Sequence, residues 1–290
     1  MAVVTARLMG GLCNQMFQVA TAYALALDTN RTAVFSETCD SGCSRRKDYK
    51  DSVLRNITRL SQEEMALKRW THWQEPGHPY FQIPNFSWGR ENDWSLTTST
   101  YLNGYFQSFR YFDHHKEEIR KLFDATEETW NRIKSKYGAP CTKCQCRGDF
   151  SDSVSIHVRR GDYVHLSHVH HNLSTQYYCE ALDKLKTLVG EEEFPKLKYY
   201  IFSDDLDWCR NQPLFQSLSA TYVDEEDYIC LHCMMLCEHH ILANSSFSFW
   251  GAYLTTRPQG HTILPATWFG PAGPVWNIGD IALKEWHVIQ

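Results

Sequence analysis

Val3-Val4-Thr5-Ala6-Arg7-Leu8, then Gly10-Gly11, then residues 14–27 with apolar side chains at Phe17, Ala20, Ala24 and Leu27, read as a buried strand, a tight turn and a helix. That is the first half of a βαβ unit. The same alternation restarts beyond residue 150. Strands are expected at 154–158, 199–203, 221–223, 241–243 and 262–264, with helical segments at 175–188, 206–211, 228–240 and 247–255. Strands and helices alternating at this spacing argue for right-handed crossovers and a mainly parallel sheet. Between the halves lie a strand at 33–36, an aperiodic polar stretch at 37–51, and a helix running to about residue 70, opened by the capping box Ser61 and Glu64. An irregular aromatic stretch at 76–94, a strand at 100–106 and helices at 109–123 and 126–136 follow. Residues 138–150, rich in Gly, Pro, Cys and charge, carry no period and read as a linker. The reading is an α/β chain of two Rossmann-like domains, 1–150 and 151–290, with a cleft between them.

The composition agrees. At roughly 150 residues per domain, 290 residues suggest two domains, with a single large one as the alternative. With 43% hydrophobic and 22% charged residues, 15 Gly and 10 Pro, collagen-like and disordered chains are excluded. Lys and Arg number 29 against 34 Asp and Glu, a formal charge of −5, so no bulk positive field draws nucleic acid or an anionic membrane. An anionic ligand must therefore be caught by a local cluster. The 10 Trp and 15 Tyr either fill cores or offer flat faces to sugar rings. Eleven cysteines leave two groups, Cys141, Cys144 and Cys146, and Cys230, Cys233 and Cys237. These are either a four-cysteine zinc site or, for the second group, small core residues of an apolar helix. No window reaches 18 apolar residues and no basic leader opens the chain, so no membrane span is expected. A cytoplasmic protein is the simpler reading. Sequons at Asn30, Asn56, Asn85, Asn172 and Asn244 keep a luminal Golgi domain lacking its anchor as the alternative.

Three stretches carry chemistry, and each sits where a strand ends. Gly10-Gly11-Leu12-Cys13-Asn14-Gln15 joins a strand to a helix, where glycines let backbone amides approach a ligand and the helix start favours an anion or a polar sugar edge. Gly10, Gly11, Asn14 and Gln15 are the candidates for an acceptor or donor cleft. In Ser155-Ile156-His157-Val158-Arg159-Arg160-Gly161-Asp162-Tyr163, two arginines leave a buried strand, and a diphosphate suits the guanidinium fork. Strand alternation puts His157 and Arg159 on one face and Arg160 on the other, so Arg159 is expected on the ligand and Arg160 in a structural pair with a carboxylate such as Asp162; a purely structural Arg–Asp network is the alternative. In Ala243-Asn244-Ser245-Ser246-Phe247-Ser248, the polar residues either cap the following helix or also cradle phosphate. Asp205 and Asp207 have the spacing of a two-carboxylate metal site, and His165, His168, His170 and His171 either hold a metal or meet substrate.

Together the stretches GGLCNQMFQVA, HVRRGDYV and ANSSFSFWGAYL, in this order, resemble the motifs of the α1,2-fucosyltransferase family. Further likeness runs through Gly104-Tyr105-Phe106-Gln107, Tyr111-Phe112, Phe202-Ser203-Asp204-Asp205 and Lys284-Glu285-Trp286. The resemblance implies a GT-B type fold, with GDP-fucose bound by the carboxyl-terminal half and acceptor by the amino-terminal half. It implies an inverting, metal-independent transfer of fucose to the 2-hydroxyl of galactose, with no further cofactor. By motif position, Arg159 would pair with the donor phosphate, with Asn244, Ser245, Ser246, Ser248 and Asp204 beside the donor. Asp162 and His157 are the candidate bases for the acceptor hydroxyl, with the departing phosphate or water as alternatives. Cys13 stands where the family's usual residue is glycine, and Phe249 where it is tryptophan. The alternative function is a catalytically silent nucleotide-sugar or glycan-binding module.

Overall fold

The computed structural model describes residues 2–37, 49–83, 98–138, 150–255, 257 and 259–290. Its packing divides the chain into Met1–Asp124 and Ala125–Gln290. This division falls earlier than the expected linker, because Ala125, Trp130 and Ile133 bury in one cluster with Phe150, Phe202, Ile229 and Met234 of the second unit. The apolar side chains of that helix, and not the linker composition, decide where it belongs.

The first unit contains, in order, β1 (Val3–Ala6), α1 (Leu12–Asp28), β2 (Thr32–Ala33), β3 (Phe35–Ser36), β4 (Arg59–Leu60), α2 (Gln62–Ala66), β5 (Trp70–Gln74), β6 (Ser99–Asn103) and α3 (Lys116–Leu122). Its four-stranded sheet runs β2-β1-β6-β5, all parallel, and β3 pairs with β4. Helix α1 is buried along nearly its whole length, which its run of Ala, Val, Met and Phe permits. Ser61 and Glu64 form the capping box of α2, which stops at Ala66. Residues 70–74 then leave the helix and pair with β6, Trp73 opposite Leu102. This strand was hidden because its residues are half-buried or exposed, as an edge strand allows.

The second unit contains α4 (Glu127–Tyr137), β7 (Ser153–Val158), α5 (Thr175–Val189), β8 (Lys198–Ser203), α6 (Leu206–Arg210), α7 (Pro213–Ser217), β9 (Thr221–Tyr222), α8 (Asp227–Leu236), β10 (His239–Ile241), α9 (Ser246–Tyr253), β11 (Thr262–Pro265) and β12 (His287–Ile289). Six parallel strands run β12-β11-β10-β7-β8-β9. The register aligns Ile263, Ile241, Ile156 and Ile201 in one row, each fully buried. On that face pack Tyr177, Tyr178, Ala181, Leu182 and Leu185 of α5. Tyr200 and Phe202 face the other way, into the cluster of α4 and α8. The sheet is covered on both faces, and β7 is buried at every position, with Val154, Ile156 and Val158 on one face and Ser153, Ser155 and His157 on the other. The expected helix over 228–240 ends at Leu236, where Cys237 turns extended and His239 begins a strand. Its apolar run suits a buried helix and a buried strand equally. Among the described residues, no helix is long and apolar enough to cross a membrane.

Candidate active site at the carboxyl end of the second sheet

In a parallel sheet the ligand crevice lies beyond the carboxyl ends of the strands where the strand order reverses. Here the chain runs outward from β7 through β8 to β9, then returns through α8 to β10 on the other side of β7. The residues following β7 and β10 therefore stand side by side at that point.

Leaving β7, Arg159 is clamped by two carboxylates. One terminal nitrogen (Nη2) lies 2.5 Å from Asp162 Oδ1, the other (Nη1) 2.8 Å from Asp204 Oδ2, and the guanidinium stands 4.9 Å from the Tyr163 ring centre. Its Nε is buried with no partner among the described residues. Arg160 turns away, with Nε 3.2 Å from Asp205 Oδ2 and its guanidinium 3.9 Å over the Trp208 ring. Asp162 thus pairs with Arg159 and not with Arg160, and Asp205 supplies the structural pair. Asp204 also accepts the Arg160 amide at 2.9 Å. That approach explains Gly161, since a Cβ there would sit 2.3 Å from Asp204 Oδ2.

His157 is buried against Phe247, ring centres 5.3 Å apart, and its Nδ1 has no partner among the described residues. Burial, and then the Arg159 charge, press its pKa down to about 3. The ring is neutral at physiological pH, and a base with so little proton affinity draws weakly on a sugar hydroxyl. Asp162 is more than half exposed, so its ion pair with Arg159 is inexpensive to exchange for a ligand anion.

Beyond β10, Ser245 caps α9, its Oγ accepting the Phe247 amide at 3.3 Å, and Ser246 is half-buried in the first turn. Asn244 and Ser248 are buried. Asn244 Nδ2 donates to the carbonyls of His171 and Trp268, at 2.8 and 2.7 Å, while its Oδ1 finds no partner among the described residues. Ser248 donates to the Ala243 and Ser245 carbonyls at 2.8 and 3.0 Å. These two side chains hold the loop in place. Ser245 is buried as they are, and Ser246 is half-buried.

In the first unit, Gly10 takes φ +80, and a Cβ there would strike Asn14 Nδ2 at 2.3 Å. Gln15 Nε2 donates to the Gly10 carbonyl at 3.2 Å, and Asn14 Oδ1 accepts Gln107 Nε2 at 2.8 Å. Gly11 caps α1 with open space around it. Cys13 is buried within α1.

The profile of glycosyl transferase family 11 matches residues 2–290. The chain belongs to that family. The family 11 chain is 30% identical to an alpha-1,2-colitosyltransferase of Escherichia coli, with 93% of each covered. It is 25% identical to galactoside alpha-(1,2)-fucosyltransferase 2 of Oryctolagus cuniculus, over 97% of this chain and 75% of the rabbit protein. Among solved structures, fucosyltransferase NodZ from Bradyrhizobium superposes with a TM-score of 0.52 at 15% identity, covering 88% of this chain and 93% of that one. POFUT1 in complex with GDP gives 0.52 at 13%, covering 91% and 97%. At those identities the likeness is one of fold, the GT-B type. The family 11 chain is a glycosyltransferase whose relatives include fucosyltransferases.

One hub of this glycosyltransferase escaped the sequence reading. Glu75, buried just past β5, accepts the amides of Tyr105 and Phe106 at 2.8 and 2.9 Å and the Tyr111 hydroxyl at 3.0 Å. Burial raises its pKa, against the lowering effect of those hydrogen bonds. A Cβ on Gly104 would lie 2.6 Å from Glu75 Oε2, so the glycine of Gly104-Tyr105-Phe106-Gln107 was the available signal. Through this turn, Glu75 sets the position of Gln107, and Gln107 that of Asn14.

Asp205 caps α6 and Asp207 pairs with Arg210 at 2.9 Å. Cys230 and Cys237 are buried, their thiols donating to backbone carbonyls and their pKa values pushed up to about 12 by burial. Cys141, Cys144 and Cys146 lie outside the described residues. Of the histidines after Tyr163, His170 stacks on that ring at 4.1 Å. Among the described residues, Asp28, His114 and His115 form the group whose ligand atoms lie within 4.8 Å of one another, tying the end of α1 to the turn at 113–115.

Proposed function

We propose that this glycosyltransferase moves L-fucose from GDP-β-L-fucose to the 2-hydroxyl of a galactose-terminated glycan, with inversion and without a metal. One observation carries the reading: a guanidinium fork held by Asp204 and Asp162 at the end of β7, beside the amino end of α9. As the bond from fucose to the diphosphate stretches, the sugar gains oxocarbenium character and negative charge gathers on the leaving group. Arg159 stabilises that charge more in the transition state than in the ground state, as does the start of α9. In this reading the incoming diphosphate takes the place of Asp162 on Arg159, and Asp204 keeps the fork aimed. Asp162, once released, is the base for the acceptor hydroxyl in preference to His157, since Asp162 is exposed and His157 is buried and weakly basic. The second unit binds the donor, with Ser245 and Ser246 beside it. The first unit binds the acceptor, around Gly10, Gly11, Asn14 and Gln15.

The test is incubation with GDP-fucose and lactose, with and without chelator, followed by NMR of the product. Acceptor-dependent GDP release that survives chelation, with an α1,2 linkage, supports the reading. Nucleotide binding without release makes the chain a silent binding module. The colitosyltransferase relative favours a second reading in which the transferred deoxyhexose is colitose. A higher kcat/KM with GDP-colitose than with GDP-fucose selects it.

A further inference from the structure

The chain leaving β11 builds a cavity of about 510 Å³, lined by residues 266–270, 274 and 276–278. Three lining side chains are aromatic. The rings of Trp268 and Trp276 are parallel within 6°, 5.8 Å apart, and Phe269 meets Trp276 edge-on at 5.3 Å. The volume falls in the roughly 300–1,000 Å³ range of small-ligand sites.

The wall is built and not loosely draped. Gly270 and Ala272 donate their amides to the Val169 and His168 carbonyls, each at 2.8 Å, and His170 bridges to Phe269. A Cβ on Gly270 would sit 2.7 Å from the Ser167 carbonyl oxygen, and one on Gly273 2.5 Å from that of Val169. The loop approaches its neighbour as closely as glycine permits.

Its position ties it to the candidate active site. The strand order β11-β10-β7 sets the loops after these strands next to one another at one edge of the sheet. Asn244 donates to the Trp268 carbonyl at 2.7 Å. A row of rings runs from the Arg159 guanidinium to Tyr163, on to His170 at 4.1 Å, to Phe269 at 5.8 Å and to Trp276 at 5.3 Å.

The lining selects among the parts of a sugar-transfer reaction. None of its nine residues is charged, so it holds no cation to balance a phosphate. Guanine presents a donor edge that a carboxylate would read, and the lining has no carboxylate. A pyranose is a neutral ring with an apolar C–H face and a hydroxyl rim. It suits aromatic walls edged by Thr267 and Asn277. We propose that Trp268, Phe269 and Trp276 form a subsite for a pyranose ring, from the acceptor or from the transferred sugar. The inference rests on the glycosyltransferase reading and adds where one sugar sits.

The test compares the full chain with Trp276→Ala and Trp276→Phe. GDP and GDP-fucose affinities, steady-state kinetics with lactose, and saturation-transfer NMR of lactose, D-galactose, L-fucose and N-acetylglucosamine are the readouts. Trp276→Ala is expected to raise one constant about tenfold with GDP affinity unchanged, and Trp276→Phe to restore most of it. A rise in the lactose KM assigns the subsite to acceptor; a rise in the GDP-fucose Kd assigns it to the transferred sugar. Equal weakening of GDP and GDP-fucose would put nucleotide there and overturn the proposal. So would all constants staying within twofold while Arg159→Lys still loses turnover. If the intact chain proves inactive with GDP-fucose, the NMR arm decides alone: no Trp276-dependent signal from any of the four sugars overturns the subsite.

Discussion

Replacing Arg159 by lysine keeps the positive charge and removes the fork. In the structure the two terminal nitrogens point to separate oxygens, at 2.5 and 2.8 Å, with a third nitrogen buried behind them. A lysine ammonium can occupy only one of those directions. A hydrogen bond to a charged group is worth roughly 1.5–3 kcal/mol, so losing one prong on the departing diphosphate should slow turnover about ten- to a hundredfold. Folding should barely change. The Asp162 pair is largely exposed and contributes at most about 1 kcal/mol, and Asp204 keeps its bond to the Arg160 amide. The assay is acceptor-dependent GDP release at saturating GDP-fucose, with GDP affinity by calorimetry and a thermal melt on the same sample. Turnover within twofold of the parent at an unchanged Tm would refute the reasoning.

Three further changes probe the scaffold. Gly161→Ala places a methyl 2.3 Å from Asp204 Oδ2, so the carboxylate must move and turnover should fall more than tenfold with the melt little changed; kinetics beside a melt check it. Ile156→Ala empties the centre of the isoleucine row and should cost about 2–5 kcal/mol, read from urea midpoints. Burial holds the His157 and His240 pKa values near 3, below the ordinary 6.5, so the unfolded chain takes up protons first as pH falls. Their contribution is complete above about pH 6.5 and drains by about 1.4 kcal/mol per pH unit for each ring below it. Between pH 6.5 and 4.5 the two should remove about 5 kcal/mol, and His240→Asn should halve that slope in denaturant titrations.

Much of this was legible from residue 3 onward because the short runs at 3–6 and 154–158 carry β-branched side chains, Val3, Val4, Val154, Ile156 and Val158, and are followed by glycine-bearing turns. Two of the three motif stretches were legible because each holds residues that a plain βα turn does not need: paired arginines with a glycine beside an aspartate at 159–162, and serines before an aromatic helix at 245–250. Two kinds of feature stayed hidden. Edge strands such as β5 and β12 are specified by their neighbours, and nothing in their own alternation separates them from loop. Long-range partners are not spaced in sequence at all. Asp204 reaches Arg159, Glu75 reaches Tyr105 and Phe106, and the only local trace is a glycine that makes room. The carboxylate partner of Arg160 was misassigned for the same reason: Asp162 is near in sequence, but the turn at 161–164 carries it to Arg159.

The account turns on what Arg159 grips. A crystal of the chain soaked with GDP answers it directly. A β-phosphate oxygen within about 3 Å of the Arg159 terminal nitrogens, with Asp162 swung away and Asp204 still in place, is the expected result. GDP bound with its diphosphate out of reach of that guanidinium, and the Arg159–Asp162 pair intact, would contradict it.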